Sequence, residues 1–280
     1  MLKDYLEITR PVNSLVAGFA VLLGLIIAKG TVPAEALILI PVVAMITAAG
    51  NVINDYCDRD IDLINRPARP IPSKRVTPKN ALLFSAILFL SGIFVCFFVN
   101  TLCFAIGIFN SLLLVLYAKK LKMMPFAGNA AVSYLSASIF LFGGAFFGAE
   151  GIMQNSVVFL ITFFAMISRE LLKDAEDIKG DLKGGAKTVP IIIGVKKTAY
   201  ISLFFAVSAV VISLMPLLRF WGIYYILMIL AADAVILYAA AKGCLANTPG
   251  ALVQSGATSL LKKGMFLALL IFLISAVLFG

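Results

Sequence analysis

The 280-residue chain has no histidine, a single tryptophan, four cysteines and only 13% charged residues. Without histidine, imidazole acid–base catalysis, histidine-ligated haem and most zinc sites are excluded. Cys57, Cys96, Cys103 and Cys244 show no metal-type pairing and read as small apolar residues, not as a disulfide framework. A soluble domain carries roughly 25% charged residues. At about half that share, with 62% hydrophobic residues and a mean hydropathy of +1.05, most of this chain is solvated by lipid. In such a chain the placement of the net charge of +9 matters more than its size, and it does not point to nucleic acid.

What the chain has in abundance is apolar stretches of spanning length. A ~30 Å hydrocarbon core takes about 20 residues of helix, and such stretches recur near 12–28, 34–55, 80–99, 101–117, 127–149, 156–177, 198–217, 221–242 and 263–279. The expected architecture is all-α: a polytopic membrane bundle of nine transmembrane helices forming one domain over 1–280. The first run is of spanning length and is expected to be retained, unlike a cleaved signal peptide. The third and fourth spans meet at Asn100-Thr101, which requires a very tight turn. With nine spans, 21 of the 23 basic residues fall on one side, leaving only Lys29 and Arg219 on the other. By the positive-inside rule that side is cytoplasmic, and it holds the N-terminus and both long polar loops.

Those two loops contain a parallel internal repeat. Asn51, Asp55, Asp58 and Asp62 each stand 119 positions before Glu170, Asp174, Asp177 and Asp181. Four spans separate the copies, so both face the same aqueous side. At 100° per residue each set covers about 60° of a continuing helix, and Asn54, Asp58 and Asp62 form a further i, i+4, i+8 row. Carboxylates stacked on one face repel, and surface pairing with Arg59, Lys179 or Lys183 is the simplest relief. Two equivalent copies, holding nine of the fourteen acidic residues, point instead to a shared cation. Carboxylate and amide oxygens suit magnesium, making Asn54, Asp55, Asp58, Asp62, Asp174, Asp177 and Asp181 candidate ligands.

Nearby cations favour a phosphate as the metal's partner. Arg66 and Arg69 sit in the proline-rich run Asn65-Arg66-Pro67-Ala68-Arg69-Pro70-Ile71-Pro72, and arginine binds phosphate oxygens bidentately. Lys119, Lys120 and Lys122 follow Tyr117 at the end of the fourth span, where anchoring at the membrane surface accounts for at least one of them. Lys173, Lys187, Asn51 and Asn54 complete the candidate substrate contacts. A polyphosphate on a long apolar chain, such as a prenyl diphosphate, fits both this mouth and an apolar bundle interior. Gly143, Gly144, Ala145 and Gly148 allow close helix approach. Asp233, inside the eighth span, reads equally as functional or as a partner to a neighbouring helix.

Asn54-x3-Asp58-x3-Asp62 and Asp177-x3-Asp181 resemble the paired motifs of the UbiA-type intramembrane prenyltransferases, over essentially the whole chain. Arg169-Glu170-Leu171-Leu172-Lys173-Asp174, Lys187-Thr188-Val189-Pro190 and the Asn-Arg-Pro-x-Arg-Pro-Ile-Pro-Ser run most resemble the archaeal members that act on a prenylated glycerol phosphate. The resemblance implies magnesium-dependent transfer of a geranylgeranyl group from geranylgeranyl diphosphate to the hydroxyl of geranylgeranylglyceryl phosphate. It also implies that Asp58, Asp62, Asp177 and Asp181 are the main ligands, with Tyr117 and Lys122 beside the departing diphosphate. Relatives often carry Gly where this chain has Lys74. They place a Lys four or five residues after the Tyr, which makes Lys122 the match and Lys120 the alternative. An aromatic, quinone-precursor or chlorin acceptor is the alternative within the family, and a cation or substrate transporter the alternative outside it.

Overall fold

The computed structural model describes residues 2–215 and 222–279. The expected turn between the seventh and eighth spans, with the span ends at 217 and 221 and Arg219, lies outside them. The described residues form helices and no strand: α1 (Leu2–Ile8), α2 (Pro11–Lys29), α3 (Leu39–Cys57), α4 (Arg59–Asn65), α5 (Pro78–Val99), α6 (Thr101–Lys119), α7 (Ala127–Ala145), α8 (Ala149–Lys183), α9 (Val189–Ile193), α10 (Val195–Ser213), α11 (Ile223–Gly243), α12 (Pro249–Ser255) and α13 (Ala257–Leu278).

Eight helices are long and apolar enough to cross a membrane, namely α2, α3 with its preceding 3₁₀ turn, α5, α6, α8, α10, α11 and α13. The expected fifth span corresponds to α7, which is less apolar because it carries Asn129, Ser133, Ser136 and Ser138. Its neighbours explain this composition. α7 packs against α2, α6 and α8, and Ser133 and Ser138 are fully buried, so much of the helix faces protein instead of lipid. The sixth span also differs from expectation. α8 is one helix of 35 residues starting at Ala149, about 52 Å long at 1.5 Å per residue, and its last turns project beyond any hydrocarbon core.

Local sequence sets the boundaries. Pro11 opens α2, and Thr77 caps α5 by accepting the Asn80 N–H at 3.2 Å. Asn100 alone joins α5 to α6. Its side chain accepts the Cys103 N–H at 2.8 Å and donates to the Ala145 carbonyl at 2.9 Å, so the tight turn is tied to the end of α7. Gly143 and Gly144 bring helices together as expected, whereas Gly148, at φ 83°, has nothing within 4 Å of an added Cβ. A Cβ at Gly143 would stand 2.9 Å from Gly24 Cα, and one at Gly144 would stand 2.3 Å from the Gly151 carbonyl oxygen. Between these contacts, buried Asn155 of α8 donates to the carbonyls of Gly24 and Phe140, both at 2.7 Å. Asp233 is buried and accepts from Ser213 of α10 at 2.7 Å, the neighbouring-helix partner that was one of its two readings.

Candidate active site

The two acidic motifs reach the same end of the bundle by different local routes. In the first, α3 stops at Cys57 and Asp58 leaves helical geometry (φ −88°, ψ 2°) before α4 begins at Arg59. The hydrogen-bond ladder nonetheless bridges the break, with the Asp58 N–H on Asn54 and the Asp62 N–H on Asp58 at 2.9 and 2.8 Å. The second motif lies on uninterrupted α8. One backbone bond joins the copies' surroundings: the Lys187 N–H donates to the Met123 carbonyl at 3.0 Å, placing the loop after α8 against the turn that carries Lys122.

Around the first motif, every central acid meets a cation. Asp58 accepts from Lys122 Nζ and, at 2.9 Å, from Asn54 Nδ2, while the same Lys122 donates to Asn54 Oδ1 at 3.0 Å. Buried Asp62 accepts from Arg69 at 2.6 Å. Buried Asp55 accepts through one oxygen from both Arg10 at 2.6 Å and Arg69 at 3.2 Å. In the second motif Asp174 and Asp181 have neutral donors. Asp174 accepts from Asn129 at 2.7 Å and Asp181 from Thr188 at 3.2 Å, and Asp177 is exposed. Glu170 pairs with Arg169 and, at 3.7 Å, with Lys173.

The remaining sequence candidates divide by exposure. Arg66, Lys119, Lys120, Lys173 and Lys187 are exposed at this end of the bundle. Asn51 turns to the N-terminal segment and donates to the Thr9 carbonyl at 3.0 Å. Three residues that sequence reasoning missed stand beside the acids: Arg10, Asn129 and Thr188. Arg10 had a faint signal, since an Arg-Pro step before an apolar run marks a helix start. Asn129 had none, and Thr188 stood only within the run Lys187-Thr188-Val189-Pro190, because what each bonds depends on which element lies across from it.

Two spaces open onto this end. One, of about 380 Å³, is lined by Arg10, Asn51, Asn54 and Tyr117 at its polar end and by residues such as Val43, Ile46 and Phe142 deeper in the bundle. A smaller one is lined by Lys122, Asn129, Glu170 and Asp174. Tyr117 and Val132 line both spaces. An apolar cavity therefore meets a polar chamber at the tyrosine, with acids of both motifs around it. Among the described residues no three acidic or thiol side chains converge as a ready-made metal cage. The carboxylate and amide oxygens of the two motifs are of the kind magnesium takes, with water and substrate phosphate completing its shell.

Comparison with known proteins agrees with this geometry. The model of the UbiA prenyltransferase family matches residues 17–270. The chain belongs to that family. It is a prenyltransferase, and with eight spanning-length apolar helices it is an integral multi-pass membrane protein. A digeranylgeranylglyceryl phosphate synthase of Methanoculleus marisnigri is 50% identical over 273 residues, 98% of each chain. That of Thermococcus kodakarensis is 41% identical over 276 residues, again 98% of each. Among solved structures, a digeranylgeranylglyceryl phosphate synthase superposes with a TM-score of 0.88 at 36% identity, covering 99% of this chain and 98% of the other. A UbiA homolog from Archaeoglobus fulgidus bound to GPP and Mg2+ superposes with a TM-score of 0.68 at 16% identity, covering 95% and 99%, and shares the fold.

Proposed function

We propose that this prenyltransferase moves a geranylgeranyl group from geranylgeranyl diphosphate to the hydroxyl of geranylgeranylglyceryl phosphate, forming an ether in archaeal lipid synthesis. The observation that carries the reading is the wall shared by the two spaces. Tyr117 stands where an apolar cavity sized for an isoprenoid chain meets a polar chamber flanked by both acidic motifs. The acceptor assignment is supported by the full-length likeness to proteins named for that product.

Asp58, Asp62, Asp177 and Asp181, with Asn54 and Asp174, are the groups that would hold magnesium. When bound, the metal neutralises the diphosphate and favours its departure. Lys122 is held against Asn54 and Asp58 and places its ammonium where charge gathers on the leaving group. Tyr117 offers its hydroxyl at the same boundary. The apolar lining keeps water from the allylic cation left after C–O cleavage, so the acceptor hydroxyl is the available nucleophile: its oxygen bonds the allylic carbon and its proton passes to the departed diphosphate. Exposed Arg66, Lys119, Lys120, Lys173 and Lys187 create a positive field that draws anionic substrates to this end. In the membrane, the same end faces the cytoplasm.

The test uses purified protein with radiolabelled geranylgeranyl diphosphate and magnesium, offering geranylgeranylglyceryl phosphate and an aromatic acceptor in parallel. Ether-lipid product is expected. Asp58→Ala and Asp177→Ala should each lower turnover about a hundredfold or more, and a chelator should abolish it. Product from the aromatic acceptor alone would overturn the acceptor. Undiminished turnover in both variants would overturn the metal assignment.

A further inference from the structure

The two copies of the acidic motif carry different partners. Asp174, in the second copy, accepts from a neutral amide, whereas its counterpart Asp55 accepts from two guanidinium groups. A carboxylate already bonded to two arginines is a poor magnesium ligand but a good anchor for cations. Of its two arginines, Arg69 is spent on Asp55 and Asp62, with its side chain 19% exposed. Arg10 is 35% exposed and makes one side-chain hydrogen bond among the described residues, out of five available N–H donors. It lines the polar end of the cavity with Asn51, Asn54 and Tyr117.

Its backbone adds an independent observation. Arg10 has φ 50° and ψ 66°, a left-handed conformation that costs a non-glycine residue about 1–2 kcal/mol. The neighbouring chain holds it there. The Thr9 carbonyl accepts from Ser14 at 2.8 Å and from Asn51 at 3.0 Å, and the Arg10 N–H donates to Glu7 at 3.1 Å. Strain maintained at the mouth of a site is characteristic of a side chain aimed for function.

We propose that Arg10, anchored by Asp55 and pinned through Asn51, is the residue that binds the phosphate monoester of the acceptor, and that Asp55 serves as its positioning residue instead of ligating metal. This rests on the phosphorylated acceptor proposed above. Arg10 lines the larger cavity and Lys122 the smaller chamber, so acceptor phosphate and donor diphosphate are assigned to separate cations. Arg10 thereby selects a phosphorylated acceptor over the free alcohol.

Arg10→Gly removes the guanidinium while favouring the backbone conformation, and Arg69 remains on buried Asp55 at 3.2 Å. Three measurements are compared between wild type and this variant: KM for geranylgeranylglyceryl phosphate, turnover with geranylgeranylglycerol, and binding of a non-hydrolysable thiodiphosphate analogue of the donor. The expected result is an acceptor KM raised about tenfold or more, the loss of one charge-assisted contact. Preference for phosphate over alcohol should collapse, and donor-analogue affinity should be unchanged. Loss of donor affinity instead, or an unaltered acceptor preference, would overturn the assignment. Should the wild type not use this acceptor at all, the proposed function fails, and binding of hexadecyl phosphate decides the present point separately. Weaker binding to the variant supports the anion site, and equal binding overturns it.

Discussion

Lys74 has φ 62°, a left-handed backbone in the proline-rich loop that holds Arg69. Glycine adopts that conformation without a Cβ clash. Lys74→Gly should therefore raise stability by about 1 kcal/mol, read as a higher Tm in detergent, with turnover retained. A lower Tm would mean that the lysine's aliphatic stem contributes more than the strain removes. The residues of the site divide by how far the sequence reaches. The spacing of Asp58, Asp62, Asp177 and Asp181 and the 119-residue offset predict both sets at one end, and the structure sets Asp58 against Lys122, which lines one chamber with Asp174. What each acid is bonded to was not legible. The Asp55–Arg10 pair spans 45 positions and Asn129–Asp174 another 45, and no local pattern encodes contacts between helices that distant in sequence.

Between elements, the decisive contacts are those that leave no room for a side chain. At Gly144 an added Cβ would stand 2.3 Å from the Gly151 carbonyl oxygen, a collision with backbone that no rotamer change relieves. Gly144→Ala should cost about 3 kcal/mol or more by forcing α7 off the start of α8, and should lower Tm by several times the effect of a surface change. Gly250→Ala, where nothing lies within 4 Å, is the matched control and should raise stability by about 0.5 kcal/mol through the helix preference of alanine. Similar Tm values for the two variants would show that α7 and α8 adjust freely at this crossing. Spans were legible as elements because apolar runs of the required length are hard to mistake. Two elements depart from this: α7 carries polar side chains where it packs among α2, α6 and α8, and α8 runs on past the expected span as one helix to Lys183.

At the scale of the whole molecule, the remaining question is whether α7 crosses the membrane, since eight helices pass on length and apolarity and α7 does not. The chain supplies a topological argument. Met123 precedes α7, Lys187 follows α8, and their backbones are hydrogen-bonded at 3.0 Å, so the path between them must start and finish on one side. α8 is long and apolar enough to cross, and a single crossing cannot return the chain to its starting side; α7 must make the other one. At the opposite end, Lys29, the last residue of α2, pairs with Glu150 at the start of α8 at 2.9 Å. A nine-span topology with a cytoplasmic active site then predicts the result of thiol labelling in a Cys57→Ala background. Lys79→Cys and Lys196→Cys should react with an impermeant maleimide only from the cytoplasmic face, and Lys29→Cys only from the outside. Reaction of Lys79→Cys and Lys196→Cys from opposite faces would mean that α7 or another span between them does not cross. If both instead reacted from the outside and Lys29→Cys from within, the spans would stand and the orientation inferred from the basic residues would be reversed.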